Sequence, residues 1–269
     1  MGTNREMRRR YLFFDIDGTL LAGGYETGYI PETTKEAIQA LQAEGHFLAI
    51  ATGRSNAMAV DYMHLLGFVN MVSDGGYGIT IDNKLLGIRP LPNEAAVALI
   101  RECEEKGLPW GLQIDDSDTR LTPDGRFYAF TKDTYMKTKE CPGLRPENQK
   151  QIYKVYVACK YPQEYSLETL NALPWCRYQK SYIFVEPLYK NIGIRAIMDH
   201  FHADYRDAIV FGDSANDLSM FTDTWLKVAM GNAVPELKAR ADYITTDVDK
   251  DGIYNACVAL GLIEGSPRL

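Results

Sequence analysis

Cysteine is scarce in this sequence, and long hydrophobic runs are missing. The 269 residues include five cysteines, which are odd in number, widely spaced and never arranged as Cys-x-x-Cys. This pattern excludes a disulfide framework and a cysteine zinc site, and it predicts reduced thiols in the cytoplasm. No window of 18 residues is apolar throughout, so we expect no transmembrane helix.

Positive charge is not in excess, and two common nucleotide-binding loops are missing. The net charge of −7 argues against a nucleic acid or an anionic membrane as partner, and we expect the basic run at 8–10 to be solvated. Neither Gly-x-x-x-x-Gly-Lys-Ser/Thr nor a Gly-x-Gly-x-x-Gly motif after a strand occurs. The sequence therefore lacks the markers of P-loop and dinucleotide-binding proteins.

Strands and helices alternate at both ends of the chain. Apolar runs at 12–14, 47–51 and 208–211 predict buried strands, and helical segments lie between and beside them. This alternation is typical of the α/β class with a doubly wound parallel sheet.

The middle of the chain has a different pattern, which is rich in hairpins. The sequence predicts a hairpin at 79–88, a strand at 126–130 and a loop at 137–151. These antiparallel features predict a small α+β domain inserted into the α/β core. The predicted core comprises residues 1–84 and 186–269, and the inserted domain comprises residues 85–185.

Two carboxylates directly follow the first predicted strand, in the segment 12–20. Ligands of open α/β sheets bind beyond the carboxyl ends of strands, so we expect Asp15 and Asp17 at the mouth of a crevice. Neighbouring carboxylates raise each other's pKa unless a cation lies between them. The segment fits a hard-cation site with a nucleophilic carboxylate, and it fits equally well a strand end capped by turn-forming aspartates.

Three predicted strands end in oxygen-bearing or small residues. These are Asp15 and Asp17, Thr52 and Gly53, and Asp213 and Asp217. The ends of parallel strands meet at one edge, where four carboxylates would repel each other without a cation. All-oxygen ligands suit Mg²⁺, and the Thr52 hydroxyl and Gly53 N–H at a helix start suit an anion. The sequence thus predicts a site for Mg²⁺ and phosphate.

Four motifs, taken together, resemble the haloacid dehalogenase (HAD) superfamily. They are Asp-x-Asp-Gly-Thr-Leu at 15–20, Ala-Thr-Gly-Arg at 51–54, Lys190, and Gly-Asp-x-x-Asn-Asp-x-x-Met at 212–220. The stretch at 228–233 and the large insertion resemble the Cof-type phosphatases of this superfamily. The resemblance covers essentially the whole chain and implies a HAD-like, Rossmann-type core with an inserted α+β cap that selects the substrate.

The resemblance implies a role for each motif residue. Asp15 would be the nucleophile that forms an aspartyl-phosphate, Asp17 the general acid and base, and Lys190 the cation beside the phosphoryl group. The phosphate- and substrate-binding residues would be Thr52, Gly53, Arg54 and Asn216. The Mg²⁺-binding residues would be Asp15, Asp17 through its backbone carbonyl, Asp213 and Asp217, the last as a ligand or as a support for the others.

Two segments depart from the family pattern. Lys190 is followed by Asn191 where the family usually has glycine, and Gly193 comes later. The third core strand ends in the segment 73–77 instead of Asn-Gly-Ala. Because this segment borders the substrate region, the departure concerns leaving-group specificity and not the chemistry. We expect the glycine cluster at 75–78 to form a flexible turn.

The function implied is Mg²⁺-dependent hydrolysis of small phosphomonoesters, such as sugar phosphates, through an aspartyl-phosphate. The partner would be a small phosphorylated metabolite, and the protein would be a monomer or a homodimer. One alternative is a phosphomutase or phosphotransferase, which passes the phosphoryl group to another hydroxyl. A second is a non-catalytic phospho-ligand sensor, but a pure binder has no use for a nucleophile beside a general acid.

The middle domain is rich in aromatic residues and contains an acidic cluster. The aromatic residues could form a substrate lid, although most are better explained as core and sheet-face residues. The acidic cluster is expected to be a solvated loop. The aromatic set is Trp110, Phe127, Tyr128, Phe130, Tyr135, Tyr153, Tyr156 and Trp175, and the acidic cluster is Asp115, Asp116 and Asp118.

Overall fold

The computed structural model describes residues 8–268, whose strands form two sheets. The strands are β1 (Tyr11–Phe14), β2 (Phe47–Ala51), β3 (Met71–Ser73), β4 (Gly78–Ile81), β5 (Lys84–Ile88), β6 (Trp110–Gln113), β7 (Thr119–Thr122), β8 (Lys137–Glu140), β9 (Lys154–Ala158), β10 (Trp175–Gln179), β11 (Tyr182–Val185), β12 (Ala208–Gly212), β13 (Leu226–Ala229) and β14 (Tyr243–Ile244).

α-Helices lie between several of these strands and after the last one. They are α1 (Gly24–Thr27), α2 (Glu32–Ala43), α3 (Asn56–Leu65), α4 (Asn93–Glu105), α5 (Arg126–Thr131), α6 (Lys190–His200), α7 (Pro235–Lys238) and α8 (Gly252–Ala259). Within residues 8–268, no helix has both the length and the apolar character needed to cross a membrane.

The larger sheet has eight strands in the order β14-β13-β12-β1-β2-β3-β4-β5. The six strands from β14 to β3 are parallel, and β4 and β5 extend the sheet as an antiparallel hairpin, as predicted for residues 79–88. Phe14 at the end of β1 is in register with Ile50 of β2 and Phe211 of β12. The carboxyl ends of these three strands therefore lie side by side, as the sequence predicted.

Helices cover both faces of the larger sheet. Because side chains alternate along a strand, Leu12 and Phe14 belong to the core under α2, α3 and α8. Phe13 points to the opposite face, where it joins the core formed with α6 and α7. The fold is thus the predicted doubly wound α/β core.

The smaller sheet comes entirely from the middle of the chain, in the order β10-β11-β9-β6-β7-β8. Helix α4 covers one face, where Ile100 and Cys103 pack with Trp110. The other face carries Phe127, Tyr156 and Phe184, and Met58 of α3 packs against it. This second face of the α+β cap therefore lies toward the α/β core.

The predicted boundary at residue 85 falls inside β5. This strand pairs with β4, so residues 85–88 belong to the larger sheet and the chain leaves it through Pro90 and Pro92. At the other end, β11 ends at Val185, and Glu186 begins the return to the core. Residues 1–7 and 269 of the predicted core lie outside the described residues.

Two local predictions in the cap are wrong. The predicted strand at 126–130 is helix α5, whose start is favoured because Asp124 Oδ1 accepts a hydrogen bond from Arg126 N at 2.9 Å. The predicted loop at 137–151 contains β8, which pairs with β7 at the edge of the sheet. Edge strands are commonly polar, which explains why the sequence resembled a loop there.

Candidate active site

Asp15 follows β1 and lies at the floor of the cleft between core and cap. Its side chain is almost completely buried, and its Oδ1 accepts a hydrogen bond from Lys190 Nζ at 2.6 Å. Burial raises the pKa of Asp15 to about 7, while the Lys190 ammonium opposes the shift. The ion pair with Lys190 therefore holds one oxygen of this carboxylate in place.

Asp217 holds Lys190 from the other side. Its Oδ1 accepts from Lys190 Nζ at 2.5 Å, and its Oδ2 accepts from the backbone N–H groups of Asp213 and Ser214 at 2.9 and 3.0 Å. Both oxygens of this fully buried carboxylate thus already have protein donors. Asp217 thereby positions both the lysine and the loop after β12.

A close contact between two segments places Lys190. Gly75 and Gly76 have φ angles of +60° and +106°, and a Cβ there would lie 1.8 Å from Pro187 O and 2.0 Å from Tyr189 O. Tyr189 N also donates to Gly75 O at 2.7 Å. The glycine cluster is therefore a tightly packed, buried turn and not the flexible turn that the sequence predicted.

The shifted glycine after Lys190 also has a packing reason. A Cβ on Gly193 would lie 2.3 Å from Val72 Cγ1 of β3, so helix α6 approaches the sheet at this position. Asn191 instead occupies the position directly after the lysine. The departure from the family pattern thus leaves the lysine in contact with Asp15.

Asp213 completes a cluster of three carboxylates. One candidate ligand atom from each of Asp15, Asp213 and Asp217 lies within 4.8 Å of the others. Burial, followed by the charges of Asp217 and Asp15, raises the pKa of Asp213 to about 9. The raised pKa values of Asp15 and Asp213, together with the hard oxygen donors of the cluster, fit a divalent cation such as Mg²⁺.

The turn after β1 makes room for this cluster. Gly18 has a φ of +82°, and a Cβ there would lie 2.2 Å from Asp213 Oδ2, so only glycine fits without displacement. The next residue, Thr19, donates from Oγ1 to Asp213 Oδ1 at 3.0 Å. The Asp-x-Asp-Gly-Thr motif therefore orients Asp213 as well as Asp15.

Asp17 is separate from this cluster. Its carboxylate forms a bidentate pair with Arg54, with Nε–Oδ2 at 2.8 Å and Nη2–Oδ1 at 2.5 Å. The Asp17 side chain is 48% exposed, whereas that of Asp15 is 4% exposed. The guanidinium of Arg54 also stacks over Tyr62, at 4.9 Å from the ring centroid. Two carboxylates only two residues apart thus have different partners and different contact with solvent.

The segment after β2 and the loop after β12 form the rest of the floor. Thr52 is buried, and its Oγ1 accepts a hydrogen bond from Arg54 N at 3.1 Å, which leaves its hydroxyl hydrogen for another acceptor. Asn216 Oδ1 accepts from Ser214 Oγ, and Asn216 Nδ2 is 3.4 Å from the position of a Gly53 Cβ. A cavity of about 290 Å³ is lined on this side by Asp15, Asp17, Thr52, Gly53, Arg54 and Asn216.

The cap supplies the roof of the cavity. Its lining residues are Tyr135, Tyr178, Gln179 and Phe184, together with Glu186 at the start of the return to the core. Of the aromatic residues proposed as a lid, only Tyr135 is among them, while Trp110, Phe127 and Tyr156 are buried in the cap as core residues. Because side chains alternate along a strand, the sequence indicates that Phe184 and Glu186 lie on the same face of β11 and its extension. It does not indicate that this face is turned toward the core.

Two contacts hold the cap against the floor. Lys154 Nζ donates to Glu186 Oε2 and to Gly53 O, both at 2.6 Å. Asp116 is exposed in its loop, as expected, and it also accepts from Ala57 N at 2.7 Å and from Asn56 Nδ2 at 2.8 Å. It therefore binds the first turn of α3, where backbone N–H groups lack partners within the helix.

The chain is similar to known proteins over most of its length. The family model described as haloacid dehalogenase-like hydrolase matches residues 12–257. A Bacillus subtilis (strain 168) protein named "Putative phosphatase YkrA" is 31% identical over 271 residues, which cover 96% of this chain and 100% of that protein.

Solved structures show the same similarity. A hypothetical protein from Geobacillus kaustophilus HTA426 is 32% identical, has a TM-score of 0.81, and is matched over 95% of this chain and 100% of that chain. The HAD subclass IIB sugar phosphatase BT4131 is 28% identical with a TM-score of 0.76, over 94% of this chain and 100% of that chain. With a family match over most of its length and this arrangement of carboxylates around a lysine, the chain belongs to the haloacid dehalogenase-like hydrolases, as a phosphatase.

Proposed function

We propose that the protein is a Mg²⁺-dependent phosphomonoester hydrolase that acts on small phosphorylated metabolites, such as sugar phosphates, through an aspartyl-phosphate on Asp15. One observation carries the proposal. The buried Asp15 carboxylate contacts Lys190 and reaches a small cavity, while a second carboxylate with access to solvent, Asp17, lines the same cavity. The similarity to a protein described as a sugar phosphatase supports the substrate class.

The two carboxylates suit the two halves of the reaction. An Asp15 oxygen attacks phosphorus, the P–O bond to the alcohol breaks, and Asp17 donates a proton to the departing oxygen. Water then attacks the aspartyl-phosphate while Asp17 takes a proton from it, which releases phosphate and restores Asp15. Arg54 positions Asp17 in both steps through its bidentate contact.

Charge on the phosphoryl oxygens requires compensation, which is the main demand of phosphoryl transfer. Lys190, the Thr52 hydroxyl and the Asn216 amide line or adjoin the place where these oxygens would lie. Mg²⁺, when bound, supplies the remaining positive charge. Asp15 and Asp213 would hold it, whereas Asp217, whose oxygens both have protein donors, would support them.

Trapping of the covalent intermediate tests the proposal. Acid quenching during turnover of a ³²P-labelled ester should leave base-labile label on the peptide that contains Asp15. Chelation of divalent cations should abolish phosphate release, and Mg²⁺ should restore it better than Ca²⁺, which prefers more ligands and looser geometry. Full turnover in excess chelator, or turnover with label on another residue, would contradict the proposal.

A further inference from the structure

A buried ion pair lies in the roof of the cavity and contacts the floor. Lys154 Nζ donates to Glu186 Oε2 and to Gly53 O, and the two side chains are 5% and 3% exposed. A single ammonium group therefore joins the cap to the loop that would hold phosphate. The negative charge of Glu186 balances the positive charge of this ammonium group. The pair therefore adds no net charge to the roof.

The second oxygen of Glu186 remains available on the cavity side. Glu186 lines the cavity, and its Oε1 lies 3.7 Å from the position of a Gly53 Cβ. Among residues 8–268, the partner of Oε1 is the Cys176 thiol at 3.9 Å, and a thiol is a weak donor. A buried carboxylate oxygen that lacks a strong donor gains stability when a hydroxyl group donates to it.

The other charges near the leaving group are already balanced. Arg54 is engaged with both oxygens of Asp17, and Lys154 with Glu186. Among the described residues that line the cavity, Arg54 is the one cation, and it is paired with Asp17. A carboxylate or second phosphate on the leaving group would thus approach Glu186 without a lining cation to balance it. The rings of Tyr178 and Phe184 offer apolar surface for the carbon skeleton instead.

We propose that Glu186 is a specificity-determining residue, whose Oε1 accepts a hydrogen bond from a hydroxyl group of the leaving alcohol. Together with Lys154, it makes the enzyme prefer uncharged, hydroxylated leaving groups over those that carry a second anionic group. This inference rests on the proposed function, because it assumes that the ester phosphate is bound at the floor of the same cavity.

The wild-type enzyme provides the first test. Glycerol 3-phosphate and 3-phosphoglycerate have the same three-carbon skeleton and differ only where a CH₂OH group replaces a carboxylate. We expect kcat/KM to be higher for glycerol 3-phosphate by about tenfold or more, the range for one hydrogen bond to a charged group. A ratio near one, or a preference for 3-phosphoglycerate, would overturn the proposal whether or not any variant folds.

Glu186→Gln is the second test, because it keeps the shape of the side chain but removes its charge. The ratio of the two kcat/KM values should fall by about tenfold or more, mainly through KM, since Lys154 would then attract the carboxylate of 3-phosphoglycerate. An unchanged ratio would overturn the proposal.

Glu164→Gln is the matched control. Glu164 is buried in the cap and paired with Arg177 at 2.7 Å, and it is not among the residues that line the cavity. Its substitution breaks an equivalent ion pair, so the ratio should stay as in the wild type. An equal change in both variants would show an effect of cap stability and would overturn the assigned role of Glu186.

Hydrolysis of p-nitrophenyl phosphate distinguishes a failure of the proposed function from a failure of the role assigned to Glu186. If the wild type releases phosphate from no ester at all with Mg²⁺ present, the proposed function fails and this inference with it. If the wild type hydrolyses p-nitrophenyl phosphate but Glu186→Gln leaves the ratio of the two kcat/KM values unchanged, only the inference about Glu186 is wrong.

Discussion

The floor and the roof of the cavity are built in different ways. The floor comes from the ends of β1, β2 and β12, adjacent strands of the core whose register places Asp15, Thr52 and Asp213 side by side. The roof comes from a separate sheet, and Lys154 of that sheet donates to Gly53 O of the floor. The floor is therefore expected to determine whether phosphoryl transfer occurs, and the roof to determine which alcohol is released.

This difference has a direct consequence for mutational tests. Variants of the floor should slow the reaction of every ester, whereas variants of the roof should change the ratio between esters. Asp17 lies between the two classes, because it belongs to the floor but is proposed to act on the leaving group.

The largest effect is expected for Asp15→Asn. The amide cannot attack phosphorus, so turnover of all esters should fall on the order of 10⁴-fold or more, since loss of a nucleophile elsewhere costs up to about 10⁶-fold. Steady-state phosphate release with a sugar phosphate and with p-nitrophenyl phosphate measures it. Asp115→Asn, the same change in the cap loop, is the control, and residual activity above about 1% on either ester would contradict the role of Asp15.

Asp17→Asn should slow the reaction of a sugar phosphate much more than that of p-nitrophenyl phosphate. General acid catalysis contributes roughly 10²–10⁴-fold, and an alkoxide needs the proton far more than p-nitrophenolate does. Single-turnover phosphorylation should therefore be slow with a sugar phosphate and much less affected with p-nitrophenyl phosphate. Single-turnover conditions avoid the later step, in which the same group acts as a base. Equal slowing with both esters would mean that Asp17 is not the acid for the leaving group.

Lys190→Ala should reduce kcat for both esters by on the order of a hundredfold, as loss of one charge-stabilising group typically does. The lysine contacts Asp15 and Asp217 together, so its removal leaves two buried carboxylates without their cation. Steady-state kinetics and a melting curve should be measured on the same sample. A decrease in kcat of less than about threefold would mean that a group other than Lys190 stabilises this charge.

Mg²⁺ should stabilise the folded protein by binding to the carboxylates of the floor and not to the cap. At a concentration of 100 times Kd, a ligand specific for the folded state adds about 2.7 kcal/mol, which corresponds to a rise of a few degrees in Tm. Asp213→Asn should remove most of this rise. Thermal melts with and without Mg²⁺ test it, and an undiminished rise in the variant would place the cation elsewhere.

The smallest effect is expected for Asp116→Ala, which removes a contact of the cap with the start of α3. Loss of such a helix-capping carboxylate costs about 1 kcal/mol, so kcat/KM for sugar phosphates should fall roughly fivefold. The Ala57 amide should also exchange its hydrogen faster. Asp115→Ala is the control, because Asp115 accepts from Ser117 within the same loop. The same result in both variants would show that Asp116 does not hold the cap.

The cap shows where inference from sequence was incomplete. Tyr178, Phe184 and Glu186 were not predicted as lining residues, because a strand pattern shows which side chains share a face but not what that face meets. The helix at 126–131 was predicted as a strand, since its aromatic residues favour strands when packing is unknown.

What the sequence determined by itself is the α/β class and the strand ends that carry Asp15, Thr52 and Asp213, which form the floor. These could be predicted because parallel strands bring their carboxyl ends to one edge, so local patterns imply a shared location. Only the tertiary structure showed the bidentate pairing of Asp17 with Arg54, the packing of Gly75 and Gly76 against the segment before Lys190, and the contact of Lys154 with Gly53. The last joins residues 101 positions apart in the chain. Contacts of this kind have no local signal, because they depend on how two separately folded sheets pack together.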